Sequence, residues 1–586
     1  MTDERVVRDA TVLVRDGRIT AVGPAARVRV PAGARTIDGR GGWLVPGFAD
    51  MHAHLYSDGG VPDTAGPAEL GVMLAHGITA VRLMIGTPEQ LALRDGVARG
   101  AVTGPQLWVA SPHFTNEASD NARVVTTPEQ ARAAVREVQA AGYDFVKVTF
   151  GITGALYDAL VDEARRRRIR VIGHVEPAVG VRRAVAAGQQ MEHLDAFLED
   201  ALADSAPSRE SLTQFGVYRP ANWASLDHLD DAKLDALVRD VVRGGAWIVP
   251  TLEIFNRAFA EPLTDSALFA LPDWRMIPAA IRGPYLTSRT RYWSHPVSRE
   301  RRVRYAALRR DIVRRLAASG GAGRIMAGSD SPDLLMAYGY AYHRELAQLV
   351  QAGLTPWQAL AAGTVNPARF LGAEREWGTI APGRRADLVL LAASPLDDIA
   401  NTARIAGVAS GGHWHERAEL DAMVEAGRRA IGGEAPAPAA LDSLLQAADR
   451  RAILDVVNGM TTAMRRRDTA TLRALFVPGA TLFGMRQRRG ADVPHVQALT
   501  ADDFAAFVAR DSARGAWVER LWEPTVAVRR PLATVWAPYD FHFDTTFSHC
   551  GIDAFQLLRT AEGWRIASLA DTYETAGCPT RAPPAP

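Results

Sequence analysis

Val45-Pro46-Gly47-Phe48-Ala49-Asp50-Met51-His52-Ala53-His54 is the stretch that decides the fold. An apolar run follows a Pro-Gly turn and ends on two histidines two positions apart. Residues i and i+2 of a strand point the same way, so both imidazoles face one side. Seven further apolar runs follow, at 77–82, 106–110, 144–148, 170–174, 190–194, 246–250 and 324–330, separated by helix-period segments rich in Ala, Arg and Leu. Eight buried strands alternating with helices predict an α/β fold built as a (β/α)8 TIM barrel. A doubly wound sheet is the competing architecture. Chemistry-bearing residues recur at the C-terminal ends of different runs, which is where barrels assemble their sites, and this favours the barrel.

Those residues are Lys147, His174, His193 and Asp330, in addition to His52 and His54. Each alone reads as an ordinary structural residue: a hydrogen-bonded histidine, an ion-paired lysine, a turn aspartate. Six of them in strand-end positions point jointly to a metal site. The only cysteines are Cys550 and Cys578, near the C-terminus, so a thiolate zinc site is excluded and His, Asp, Glu or a modified Lys must hold the ion. The cysteine pair reads either as two free thiols or as one disulfide. The latter would imply an oxidising compartment and a start upstream of Met1.

Lysine plus arginine (67) nearly balances aspartate plus glutamate (66) over 586 residues, so no electrostatic case arises for nucleic acid or an anionic membrane as partner. No apolar run is long enough for a membrane span. The charged N-terminus lacks the apolar core of a signal peptide, so the expected location is cytoplasmic, with periplasmic or secreted as the alternative if the true start lies upstream.

Flanking the barrel (46–375), segments 1–45 and 376–431 carry strand-like patterns, including an Asp16-Gly17 hairpin, and predict one small β-sandwich domain built from both flanks. A Gly-, Ala- and Pro-rich linker is expected at 432–443. Residues 444–580 read as a separate α+β domain, helices first and an antiparallel sheet after. Its Trp517, Trp522, Trp536, Phe541 and Phe555 read as an aromatic core or a pocket lining, with His542, Asp544 and Asp553 as polar candidates.

The quoted stretch, with Lys147, His174, Glu192-His193, Gly328-Ser329-Asp330 and the segments 363–372 and 378–388, resembles the amidohydrolase superfamily, its prolidase-like and imidazolonepropionase-related branch above all. The resemblance spans roughly 6–425. It implies two divalent metal ions, expected to be zinc. His52, His54 and Asp330 would hold one, His174 and His193 the other, and Lys147 would bridge them as a CO2-derived carbamate. It also implies hydrolysis of an amide, peptide-like or cyclic amide C–N bond of a small molecule, with Asp330 as general base and then acid. A mononuclear deaminase or lactonase on the same barrel is the alternative. His113, Tyr218 and Arg219 are the substrate-contact candidates, the last two in a long insertion at 197–243 that reads as a lid. His228, His295, His343, His413 and His415 fall in helix-like or loop contexts and read as structural or solvated. The C-terminal segment resembles the nuclear transport factor 2-like fold, with its cone-shaped pocket. That resemblance implies a homodimer, and as a further alternative a ligand-binding or isomerase role.

Overall fold

The computed structural model describes residues 4–56, 66–119, 121–206, 225–257, 265–278, 282–283, 286, 299–334, 336–431, 438–486, 495–510, 515–529, 531–560, 562–575 and 577–579. The chain divides into two compact units, residues 1–279 with 300–435, and residues 280–299 with 436–586.

The first unit opens with the hairpin β1 (Ala10–Arg15) and β2 (Arg18–Pro24). Gly17 sits at its turn with φ +75°, and a Cβ there would lie 2.7 Å from the Gly411 carbonyl oxygen, so only glycine fits. β3 (Trp43–Pro46) follows this hairpin and pairs far along the chain with β13 (Leu388–Leu391), in a sheet continued by β14 (Ile405–Ser410) and β15 (His413–Glu416) and ordered β15-β14-β13-β3. Ile19, Ala386, Leu388 and Ala409 form a shared core between hairpin and sheet. Both flanks therefore meet in one place.

The parallel strands lie between those flanks. β4 (Phe48–Ala53), β5 (Ile78–Leu83) and β6 (Gln106–Val109) form one sheet. β7 (His113–Thr115), β8 (Ala122–Val124), β9 (Phe145–Val148), β10 (Arg170–Gly173), β11 (Gln190–Glu192) and β12 (Ile248–Val249) form a second, ordered β12-β11-β10-β9-β7-β8. The expected closed ring of eight strands is not a continuous ladder. Parallel bridges at Ala110–Phe145, Ile248–Ile325 and Ala53–Ser331 link the pieces, and the eighth expected strand is irregular. Asp330 in that segment has φ +57°, a left-handed value that breaks strand pairing. Inside, Ala49, Met51, Ala80, Ala110, Phe145, Ile172, Val249 and Met326 share one core with Phe370 and Trp377.

The second unit adds β16 (Phe476–Arg486), β17 (His495–Thr500), β18 (Trp517–Leu521), β19 (Thr525–Arg529), β20 (Leu532–Phe543), β21 (Thr546–Thr560) and β22 (Gly563–Tyr573). They form a mixed sheet, β17-β16-β22-β21-β20-β18 with β19 on β20, beside the helix Pro438–Arg466. That helix takes in 438–443, so the end of the expected linker is helical. The sheet is not wholly antiparallel: β16 (Phe476–Arg486) and β22 (Gly563–Tyr573) run parallel. Trp517, Phe541 and Phe555 are core residues, whereas Trp536 is exposed. Cys550 and Cys578 form a disulfide, Cα–Cα 5.9 Å, which overturns the two-thiol alternative. They approach because Cys550 exchanges main-chain hydrogen bonds with Glu574, four residues before Cys578. Among the described residues no helix is long and apolar enough to cross a membrane.

Candidate metal centre

β4 ends in the His52-Ala53-His54 segment, and the irregular segment 325–331 runs alongside it. Met51 N donates to Ala327 O (2.9 Å), Asp330 N to His52 O (2.7 Å) and His54 N to Ser331 O (2.8 Å). Gly328 is obligatory in this packing, since a Cβ would stand 2.8 Å from His52 Cβ and 2.4 Å from Val249 Cγ1. Asp50, one turn of the pleat before His52, accepts from Ser329 N (2.9 Å) and Ser329 Oγ (2.6 Å) and so fastens the two segments together.

These backbones bring Asp330 among three imidazoles. Asp330 Oδ1 lies 3.2 Å from His52 Nε2 and 3.3 Å from His54 Nε2, and Oδ2 lies 3.6 Å from His193 Nδ1. Donor atoms of His52, His54 and Asp330 all fall within 4.8 Å of one another. The rings then chain onward, His52 to His193 at 4.5 Å and His193 to His174 at 4.7 Å between centroids. Burial would raise the Asp330 carboxyl, but its imidazole neighbours, His52 first and then His193, outweigh burial and hold it well below the usual range. Burial pushes His174 and His193 down, towards the neutral form that can act as a ligand.

Lys147 lies buried on β9, its main-chain N on Ser111 Oγ (3.0 Å). Burial, opposed by Glu192 and Asp330, lowers its amine to about 8. On the neighbouring strand Gly173, paired with Val148, leaves room beside the side chain, since a Cβ there would be 3.0 Å from Lys147 Cδ. His113 opens β7 and hydrogen-bonds Ser119 Oγ (2.9 Å). Burial first, then the nearby charges of Lys147, His174 and His54, lowers it to about 4, so it belongs to the same surroundings. Tyr218 and Arg219 lie outside the described residues, as do 207–224 of the expected lid and His295. The base of that insertion is described. Ala203 N donates to His228 O and Asp230 N to Ala201 O, both at 2.8 Å, so its two ends meet.

A supporting layer was not singled out from the sequence. Glu192 accepts His52 Nδ1 (2.8 Å), Asp195 accepts His174 Nδ1 (2.8 Å), and Thr251 Oγ1 meets His193 Nδ1 (2.7 Å). Each contact fixes a ring's orientation, and for His52 and His174 it leaves Nε2 as the lone-pair nitrogen. Arg82, wholly buried, donates to Glu192 Oε1, Gln190 Oε1 and the Met51 carbonyl, all at 2.6 Å. The signal for both was a full charge inside an apolar strand run, at Arg82 in β5 and Glu192 in β11. His343 is structural as expected, held by Thr402 Oγ1 and the His76 carbonyl. His413 and His415 are not in a loop or helix but on β15 (His413–Glu416).

The donor set suits a divalent cation. Oriented neutral imidazoles and one ionised carboxylate converge in a buried place where an unaccompanied carboxylate would be costly. Comparison with known proteins gives the family. The sequence profile of the amidohydrolase family matches residues 43–415. The chain belongs to that family. Among its relatives, imidazolonepropionase of Symbiobacterium thermophilum is 27% identical over 422 residues, covering 67% of this chain and 85% of that one. Of solved structures, the bottromycin amidohydrolase shares the fold at TM-score 0.54, with 24% identity over 72% of this chain and 86% of its own. A prolidase complexed with N-methylphosphonate-L-proline does so at TM-score 0.50, with 22% identity over 69% and 94%. As an amidohydrolase, the protein is a hydrolase acting on C–N bonds, and the His/Asp cluster is its candidate metal site.

Proposed function

We propose that this amidohydrolase cleaves an amide, peptide-like or cyclic amide bond of a small molecule at a binuclear zinc centre. His52, His54 and Asp330 would hold one ion and His174 and His193 the other. Lys147 would join the two after its amine adds CO2, because an ammonium cannot ligate a cation whereas a carbamate offers two anionic oxygens. The observation that carries the reading is Asp330 set between His52, His54 and His193 with its carboxylate held ionised.

Bound there, divalent ions supply a water of depressed pKa and polarise the scissile carbonyl. Asp330 accepts the proton of the attacking water as the C–O bond forms. It returns that proton to the nitrogen as the C–N bond breaks, so base and acid are one group. Glu192 and Asp195 keep His52 and His174 in the tautomer that offers Nε2. His113 is the proposed substrate contact within the described residues, and Tyr218 and Arg219 are proposed for the insertion. The C-terminal unit is proposed as a nuclear transport factor 2-like domain through which two copies pair. Its disulfide favours a periplasmic or secreted location over the cytoplasm.

A second reading has a specific support: of the six proposed ligands, His52, His54 and Asp330 form a tight three-donor group by themselves, as a mononuclear deaminase or lactonase would need. Elemental analysis of the dialysed protein, with a screen of N-acyl amino acids, dipeptides, hydantoin-like rings and lactones, separates the two. Two ions per chain and turnover of amides support the binuclear hydrolase. One ion, unchanged in Lys147→Ala, with full activity on lactones or amino-purines, replaces it. Asp330→Asn is expected to lower kcat by about 100-fold or more, as loss of a general acid–base does, with a smaller change in KM.

A further inference from the structure

His413 and His415 stand two apart on β15, so both side chains can serve one face of the strand. The strand runs straight into the helix Arg417–Ala430, whose first turn carries Glu419. His415 Nδ1 lies 2.6 Å from Glu419 Oε1, and His413 Nε2 lies 4.0 Å from the same oxygen. The two rings meet edge to face with centroids 4.5 Å apart. One donor atom from each of the three residues falls within 4.8 Å of the other two, a group separate from the one around Asp330.

We propose that His413, His415 and Glu419 form a second metal site, built to take a borderline divalent ion such as Zn2+ or Ni2+. Two imidazoles and one carboxylate are a donor set that favours such ions over Mg2+ or Ca2+, which prefer oxygen alone. Zinc bonds of about 2.0–2.2 Å require the His413 ring to close on Glu419. That ring is free to move, its side chain being 69% exposed, while His415 is the buried anchor at 4%. The ion takes the place of the proton that His415 Nδ1 shares with Glu419. The Nδ1–H bond is lost and an N–metal bond forms, while Nε2 takes up a proton from solvent, so the imidazole stays neutral and the exchange balances. Solvent completes the coordination on the exposed side.

The site acts as a staple. It joins β15 to the start of the helix Arg417–Ala430, and that helix packs closely on the helix Gly66–Ala75: a Cβ on Gly427 would stand 2.1 Å from Val72 Cγ2. Occupancy therefore ties the small sheet to the layer of helices outside the parallel strands, without involving residues assigned to hydrolysis.

The test is calorimetric titration of the full-length protein, its central site already loaded, with Zn2+ or Ni2+ alone. Wild type is expected to bind one more ion per chain than His413→Ala or Glu419→Gln. The added ion should raise the thermal midpoint of wild type only, while all three proteins keep the same kcat. His413 is exposed, so its variant folds even if Glu419→Gln loosens the helix start. Equal uptake by wild type and His413→Ala at millimolar zinc overturns the proposal. So does an added ion that leaves the midpoint unmoved.

Discussion

Arg82 and Glu192 form an ion pair of 2.6 Å with both side chains wholly buried, and the second oxygen of the same carboxylate receives His52 Nδ1 at 2.8 Å. The pair is thus the footing of a proposed metal ligand. Removing one member of a buried pair strands the other charge, at a cost of about 3–5 kcal/mol. Arg82→Met should lower urea-unfolding stability by that order and loosen metal retention together. Arg82→Met with Glu192→Gln should recover much of the stability but not the metal. Wild-type stability in Arg82→Met would show that the pair has no such role.

Gly328 separates His52 from Val249 by less than a methyl group needs. Gly328→Ala should therefore displace the 325–331 segment from β4 and abolish metal binding at the centre. Metal content per chain is the measurement. A variant that folds and retains its ions would show that β4 yields more easily than the spacing implies.

Glu345 gives the pH dependence a sign. Its carboxyl is buried in the helix Tyr340–Gln351, and burial pushes it from 4.5 up to about 8, against the pull of the Glu253 and Leu252 amides. Between those values the folded chain holds a proton that the unfolded chain has lost. The stabilisation is complete below about pH 4.5 and declines as pH rises towards 8. Glu345→Gln should flatten urea midpoints across this window and exceed wild type at its alkaline end. Parallel profiles for the two proteins would refute the assignment.

The disulfide closes a loop of 28 residues. Chain-entropy arguments give such a link about 3.5 kcal/mol. Cys578→Ser, or wild type in reductant, should lower the unfolding midpoint of the second unit while hydrolysis at the first is retained. An unchanged midpoint would mean the Cys550–Glu574 backbone pairing already does the same work.

The positions of the proposed ligands were legible in the sequence because each is a His, Lys or Asp that closes an apolar run. What holds them was less so. Arg82 and Glu192 are separated by 110 positions, and only the folded strands reveal that two misplaced charges cancel. The broken ladder was also hidden: 324–330 has strand composition, but Asp330 takes a left-handed φ that no periodicity reports. His52-x-His54 and His413-x-His415 look alike in the chain, and burial with the third donor, not spacing, sets them apart. Tyr218 and Arg219 rested on their place in a long insertion, not on the end of an apolar run as the proposed ligands did.

The pinch at the base of that insertion has a bearing on how such an enzyme diversifies. Ala201 and Ala203 are stitched to Asp230 and His228. Whatever lies beyond enters and leaves through one gate, close downstream of His193. A cassette joined in this way can be exchanged between relatives by recombination at two neighbouring points while β11 and β12 keep their register. Selection could then rewrite substrate preference without touching the groups that activate water, and a grafted insertion is the laboratory version of that event.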